Sequence, residues 1–239
     1  LIVPIVVSII IGIISGVITG LIISKLKVPA FLAGLGLQLI IYGGNLLFMK
    51  KAPNNSQPLA GFKESFTKFG TGSVAGVNYL IIVAFVVMIA VYIILNMTTL
   101  GKNIYATGGN REAARLSGVP IKKIEIIVFT ISGLLSAFAG LVLCSRMYSG
   151  QPSVGSGYEL DAIAACVLGG TSMTGGKGRI SGTVFGAMVI GIISNGLNLI
   201  GVSSYWQLII KGLIIACAVL LDGQKGKLEL LKKKKLAAN

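Results

Sequence analysis

LIVPIVVSIIIGIISGVITGLIIS, Leu1–Ser24, decides the fold: it runs for 24 residues without a charged side chain. A helix of that length crosses the ~30 Å hydrocarbon core of a bilayer. The rest of the chain repeats the pattern. Of 239 residues, 54% are hydrophobic and only 12% charged, with mean hydropathy +0.88, whereas a soluble domain carries about a quarter charged residues. The expected fold is all-α, a polytopic transmembrane helical bundle. About seven spans are expected: Leu1–Ser24, Pro29–Met49, Tyr79–Met97, Ile124–Cys144, Tyr158–Met173, Ser181–Ile200 and Tyr205–Leu221.

Glycine and small residues mark where these helices touch. Gly12, Gly16 and Gly20 recur every four residues on the first span and line one face, a pattern that lets helix backbones approach closely in lipid. Ser132, Ser136 and Gly140 make a similar face on the fourth span, and Gly182 with Gly186 on the sixth. Polar side chains mark other faces. Gln38, Tyr42 and Asn45 share one side of the second span, and Asn195 and Asn198 lie near the far end of the sixth. An amide costs free energy in hydrocarbon, so such a face points at other helices or at a wet pathway.

Between the second and third spans, residues 50–77 leave the membrane, and Phe62, Phe66 and Phe69 at helical spacing predict a short interfacial helix there. Charge sets the orientation. With residues 100–123 inside and the spans alternating, fifteen basic residues lie inside against five outside, with Lys211 within a span. The sign agrees with the positive-inside rule. Residues 1–222 then form the transmembrane domain and 223–239 a basic cytoplasmic tail. The net charge of +14 belongs to loops and tail and faces anionic lipid, not nucleic acid.

The longest polar interruption with helix signals is LGKNIYATGGNREAARLSGVPIKK, residues 100–123. Asn110 can cap a short helix over Arg111, Glu112, Ala113, Ala114, Arg115 and Leu116, and Gly118 and Pro120 stop it. A helix this short is not stable alone in water, so it docks against something. Chemistry is sparse elsewhere. The chain has no histidine, which excludes His-based zinc sites and Ser-His-Asp triads. Cys144, Cys166 and Cys217 lie in apolar stretches without metal-ligand spacing and read as packing residues. The glycine-rich stretch GGTSMTGGKGRISG, 169–182, places Gly178 after Lys177 where a phosphate loop needs Ser or Thr, and reads as a tight cytoplasmic turn.

Apart from Lys211, no ionisable residue lies deep in a span, so ion coupling is poorly supported and the energy is expected from a partner. A neutral polyol suits a pathway of amides, hydroxyls and aromatic rings, for which Gln38, Tyr42, Asn45, Asn195, Asn198 and Gln207 are the available set. Lys211 is expected to snorkel or to pair with Glu159 or Asp161, which enter the membrane from the same side; Asp161 lies deeper and is the better candidate.

Three stretches carry a family resemblance: LGKNIYATGGNREAARLSGV (100–119), GYELDAIAACVLGGTSMTGGKGRISGT (157–183) and GVSSYWQLIIKG (201–212). From about residue 20 to 222 the chain resembles the permease subunits of bacterial ribose and galactose/methyl-galactoside ABC importers. YGGN and PLAGF within 42–70 resemble the galactoside branch, and the C-terminal half resembles the ribose branch equally. Glu112-Ala113-Ala114 followed by Gly118 resembles the EAA loop of ABC-importer permeases. The resemblance implies that this loop is the coupling helix seated in a separate cytoplasmic ATPase. It also implies a second permease copy and an extracellular or periplasmic sugar-binding protein, which Lys50, Lys63 and Arg146 are placed to meet on the outer face.

ATP and magnesium would belong to the ATPase, with no cofactor on this chain, and the location would be the bacterial cytoplasmic membrane. About three further N-terminal spans are expected from the family. The alternative is an ATP-independent sugar channel or facilitator; a membrane enzyme is weaker, since no nucleophile–base arrangement is visible.

Overall fold

The computed structural model describes residues 2–51, 56–214, 216–217 and 220. The tail 223–239 and part of the seventh expected span lie outside the described residues. In chain order the elements are α1 (Ile2–Leu26), α2 (Ala30–Lys50), α3 (Glu64–Thr71), β1 (Ser73–Val74), β2 (Val77–Asn78), α4 (Tyr79–Met97), α5 (Thr99–Gly109), α6 (Arg111–Leu116), α7 (Ile121–Met147), α8 (Tyr158–Leu168) and α9 (Ile180–Leu199). Residues 204–214 are also helical. Among the described residues five helices are long and apolar enough to cross a membrane: α1, α2, α4, α7 and α9. The chain is a helical polytopic membrane protein, divided into two compact units: Leu1–Asn103 with Ala114–Ser156, and Ile104–Ala113 with Gly157–Asn239.

In the first unit α1 and α7 pack antiparallel along their glycines. A Cβ at Gly12 would strike the Gly133 carbonyl and Ala137, one at Gly16 the Phe129 carbonyl and Thr130, and one at Gly20 the backbone of Ile126. The α1 face is the one legible in the sequence; the α7 face is not. α7 presents Ile126, Thr130, Gly133 and Ala137 to α1, while Ser132, Ser136 and Gly140 are exposed, with open space where a Gly140 Cβ would stand. Small size alone therefore does not select an interface; the facing backbone must fit it.

The stretch after α2 builds a small cap on the C-terminal end of α7. Phe62 and Phe66 meet edge-to-face with ring centroids 5.4 Å apart. Gly70 lies directly on the Ser145–Arg146 backbone, and the fully buried Ser145 hydroxyl donates to the Phe66 carbonyl. Leu59 and Gly150 exchange both backbone hydrogen bonds, at 3.0 and 2.8 Å. A two-residue hairpin turn, absent from the sequence reading, pairs Ser73 with Asn78 and Val74 with Val77. Ala75 and Gly76 are both left-handed there (φ 50° and 81°), the geometry that matches strand twist. Asn78 then caps α4, its Oδ1 accepting from the Leu80 amide at 2.8 Å.

In the second unit α8 and α9 form an antiparallel hairpin. Gly169 meets Gly182, and Gly186 fits against Ala165 and Gly169. Ala164, Ala165 and Ile190 form its buried core. α8 corrects the expected fifth span: its 11 residues reach about 16 Å at 1.5 Å each, half the hydrocarbon core. It ends at Leu168 instead of Met173 because Gly170 turns left-handed (φ 86°) while the Thr171 amide closes on the Cys166 carbonyl at 2.9 Å.

Gly16→Leu is expected to force α1 and α7 apart at a cost of about 1–3 kcal/mol, whereas Gly140→Leu changes stability by less than about 0.5 kcal/mol. Thermal unfolding of the two variants in detergent checks this; equal midpoints contradict the packing.

Candidate functional site

α6 is six residues long and closed at both ends. The Asn110 side-chain oxygen accepts from the Ala113 amide at 3.0 Å, which satisfies a donor that the first turn leaves open. At the other end Gly118 is left-handed (φ 82°). The Gly118 amide donates to the Arg115 carbonyl and the Val119 amide to the Ala114 carbonyl, both at 3.0 Å, a Schellman closure. Pro120 then stands at the N-cap of α7. These two closures satisfy end groups of the helix, and the buried Ala114 packs it against the rest of the chain.

The helix does not present one smooth apolar side. Ala114 turns inward, 4% exposed, while Ala113 and Leu116 face out, Leu116 at 83%. Arg111, Glu112 and Arg115 are exposed around them. The outer surface of α6 is thus an apolar knob ringed by charge.

Within the second unit the glycine-rich turn lies on the end of α5. Gly175 and Gly176, both left-handed, contact Gly108 and Gly109 backbone to backbone, and the Tyr105 hydroxyl donates to the Gly178 carbonyl at 3.1 Å. A Cβ at Gly108, Gly175 or Gly176 would strike the facing backbone and separate the two segments. The turn is a packing device, in keeping with the absence of the phosphate-loop hydroxyl. Nothing in its sequence pointed to α5 as its seat, since the Tyr105–Gly178 bond joins residues 73 apart and only the fold brings them together.

The polar residues of the spans separate into two groups. Gln207 donates from Nε2 to the Asn198 side-chain oxygen and to the Val202 carbonyl, both at 2.9 Å, so these two amides serve each other across the Gly201 turn. Asn195 is exposed on α9. Lys211 donates to Asp161 Oδ2 at 2.7 Å, with side chains 27% and 23% exposed. Glu159 is taken up differently: its Oε2 accepts from the Gly157 amide at 3.0 Å and closes the start of α8. Asp161 is therefore the partner of the lysine, and Glu159 is not.

Gln38, Tyr42 and Asn45 form the other group, in the first unit. They line a groove of about 410 Å³ on α2, whose opposite wall is Pro152, Gly155 and Ser156 from the connector after α7. Pro152, Gly155 and Ser156 were not among the expected pathway residues, although Pro, Gly and Ser in a non-helical stretch beside the membrane were the available signal. Lys50, Lys63 and Arg146 are all exposed. Lys63 stands at the N-cap of α3, and α3 lies on the C-terminal turn of α7 that carries Arg146. No contact brings Lys50 to the other two among the described residues.

Residues 1–219 match the family model described as branched-chain amino acid transport system / permease component. Over 207 residues, 85% of this chain and 63% of the relative, the chain is 47% identical to the ribose import permease protein RbsC of Escherichia coli (strain K12). It is 42% identical to RbsC of Bacillus subtilis (strain 168), over 85% of the chain and 62% of the relative. It is 41% identical to the galactose/methyl galactoside import permease protein MglC of Haemophilus influenzae (strain ATCC 51907 / DSM 11121 / KW20 / Rd), over 85% of the chain and 61% of the relative. The chain thus spans less than two thirds of the length of these curated relatives. No solved structure matches it.

Lys211→Met should destabilise the protein by about 1–3 kcal/mol, below the range for a fully buried pair because both groups keep some exposure. Asp161→Asn in the same chain should return at least about 1 kcal/mol of that loss. Denaturation of the two single variants and the double variant measures the coupling; strict additivity would show the contact to carry no energy.

Proposed function

The chain belongs to the branched-chain amino acid transport system / permease component family, and on that footing we propose that it is the membrane-spanning permease subunit of an ABC importer carrying a monosaccharide across the bacterial cytoplasmic membrane. The observation that carries this reading is the 47% identity to a ribose import permease, extending over 85% of the chain. The substrate belongs to the ribose or galactose/methyl-galactoside class, since relatives of both names match over nearly the same stretch.

Energy reaches the permease from a separate cytoplasmic ATPase, which holds ATP and magnesium. α6 is the element that meets it. Its closed ends and outward Leu116 suit a rigid knob entering a cleft, and Glu112 in the first turn lies where a negative charge complements the helix dipole. An ATP-independent channel would have no use for such a knob. The single deep cation, Lys211, is neutralised by Asp161, so neither charge is left to bind a coupling ion.

On the outer side a sugar-binding protein delivers the substrate, and exposed Lys50, Lys63 and Arg146 meet its carboxylates, steering association more than setting affinity. A second permease copy completes the pathway, its contact faces drawn from the apolar sides that α2 and α4 leave exposed.

In right-side-out membrane vesicles, or in proteoliposomes with the ATPase facing the lumen and the binding protein outside, uptake of ribose or galactose should require lumenal ATP. Leu116→Asp and Glu112→Lys should each reduce that uptake at least about tenfold, at unchanged abundance in the membrane. Because Leu116 is 83% exposed, its replacement leaves the fold intact, and full uptake by Leu116→Asp would remove α6 from the coupling route.

A further inference from the structure

The groove between α2 and the connector separates the sugar reading from the amino acid chemistry in the family's description. Its three α2 side chains stand at positions i, i+4 and i+7, two carboxamides with an aromatic ring between them. Their side chains make no hydrogen bond among the described residues, in contrast to Asn198 and Gln207, which serve each other. The Pro152 and Gly155 carbonyls on the facing wall likewise accept none among the described residues. A carboxamide on a membrane span that lacks a partner costs free energy, and here several unpartnered groups converge on one space.

The volume, about 410 Å³, lies at the small end of the range of about 300–1,000 Å³ found for ligand sites. Among the described residues no charged side chain lines it. A zwitterionic amino acid needs partners for an ammonium and a carboxylate, and a sugar phosphate needs cations; neither is present. A neutral polyhydroxylated ring needs what the groove contains. Each carboxamide both donates and accepts, as vicinal hydroxyls do. The Tyr42 ring offers a negative face to the C–H face of a pyranose or furanose.

We propose that this groove is a binding subsite for one neutral monosaccharide, with Gln38 and Asn45 holding ring hydroxyls, Tyr42 stacked on the ring and the 152–156 connector closing the opposite side. The proposal rests on the sugar-importer reading and adds to it the place where the permease itself recognises the substrate.

The test uses the transporter reconstituted with its ATPase and binding protein, with ribose, galactose and their single-deoxy analogues as substrates and leucine as the amino acid comparison. Gln38→Leu and Asn45→Leu should raise the KM for the parent sugar about three- to tenfold, the span of one neutral hydrogen bond. Each should also lose discrimination against the deoxy analogue lacking the hydroxyl it holds. Tyr42→Phe should retain the wild-type KM within about threefold, and Tyr42→Leu should not. A loss caused only by misfolding would lower kcat or abundance and leave the ranking of deoxy analogues intact, which would overturn the subsite.

As an independent readout, Gly155→Cys, exposed on the facing wall, should react with a maleimide more slowly in the presence of saturating sugar and at an unchanged rate with leucine. No protection by sugar overturns the proposal even if the leucine variants cannot be produced. If wild-type transporter imports sugar and every variant matches it, the subsite fails and the importer reading stands. If wild type carries leucine and no sugar, both fail.

Discussion

Hydrocarbon supplies no hydrogen-bond partners, so the backbone amides and carbonyls of the spans must be satisfied by the chain itself. That constraint makes the spans helical, and it governs how the helices stop. Three ends use the same closure, with a left-handed glycine and the next amide reaching back five residues: Gly118 with Val119 onto Ala114, Gly170 with Thr171 onto Cys166, and Gly201 with Val202 onto Leu197. Each releases the chain at a defined angle and leaves fewer open carbonyls in an apolar setting. The short α6, the half-length α8 and the turn that sets Gln207 on Asn198 all follow from these three glycines.

Glycine has a second use, at the contacts. α1 meets α7 through Gly12, Gly16, Gly20 and Gly133, α8 meets α9 through Gly169, Gly182 and Gly186, and the end of α5 meets the glycine-rich turn through Gly108, Gly109, Gly175 and Gly176. Lipid is as apolar as leucine, so burying a leucine between spans gains little, and close backbone packing supplies the attraction instead. At all of these glycines but Gly109 a Cβ would strike the facing segment.

Polar groups in the spans divide by whether the fold serves them. Asn198 with Gln207 and Lys211 with Asp161 are closed pairs that tie the helix over 204–214 to α9 and α8. Each cancels the cost of its members and has little left to offer a solute. The α2 groove differs in kind: its amides and ring are aligned by helical periodicity and left unserved. Transport is better suited to the second arrangement, because a substrate that is held too well does not leave.

Membrane insertion, helical class, the ends of α4 and α9 to within a residue, and the caps of α6 were legible from composition, hydropathy and local turn chemistry, since each depends on residues close in sequence. Asn110 and Gly118 bound their own helix, and lipid selects Leu1–Ser24 without help from any other segment. The partner of each face was not legible. Gly12, Gly16 and Gly20 identify an interface but not Gly133 and Ala137 as its other side, and Ser132, Ser136 and Gly140 have the same small-residue pattern yet remain exposed. That Lys211 pairs with Asp161 instead of snorkelling belongs to the tertiary structure as well. So does the pairing of Gln38, Tyr42 and Asn45 with a connector more than a hundred residues away. Local chemistry sets what a segment is; contacts between distant segments depend on backbone shape and on competition among several similar faces, and those exist only once the chain is folded.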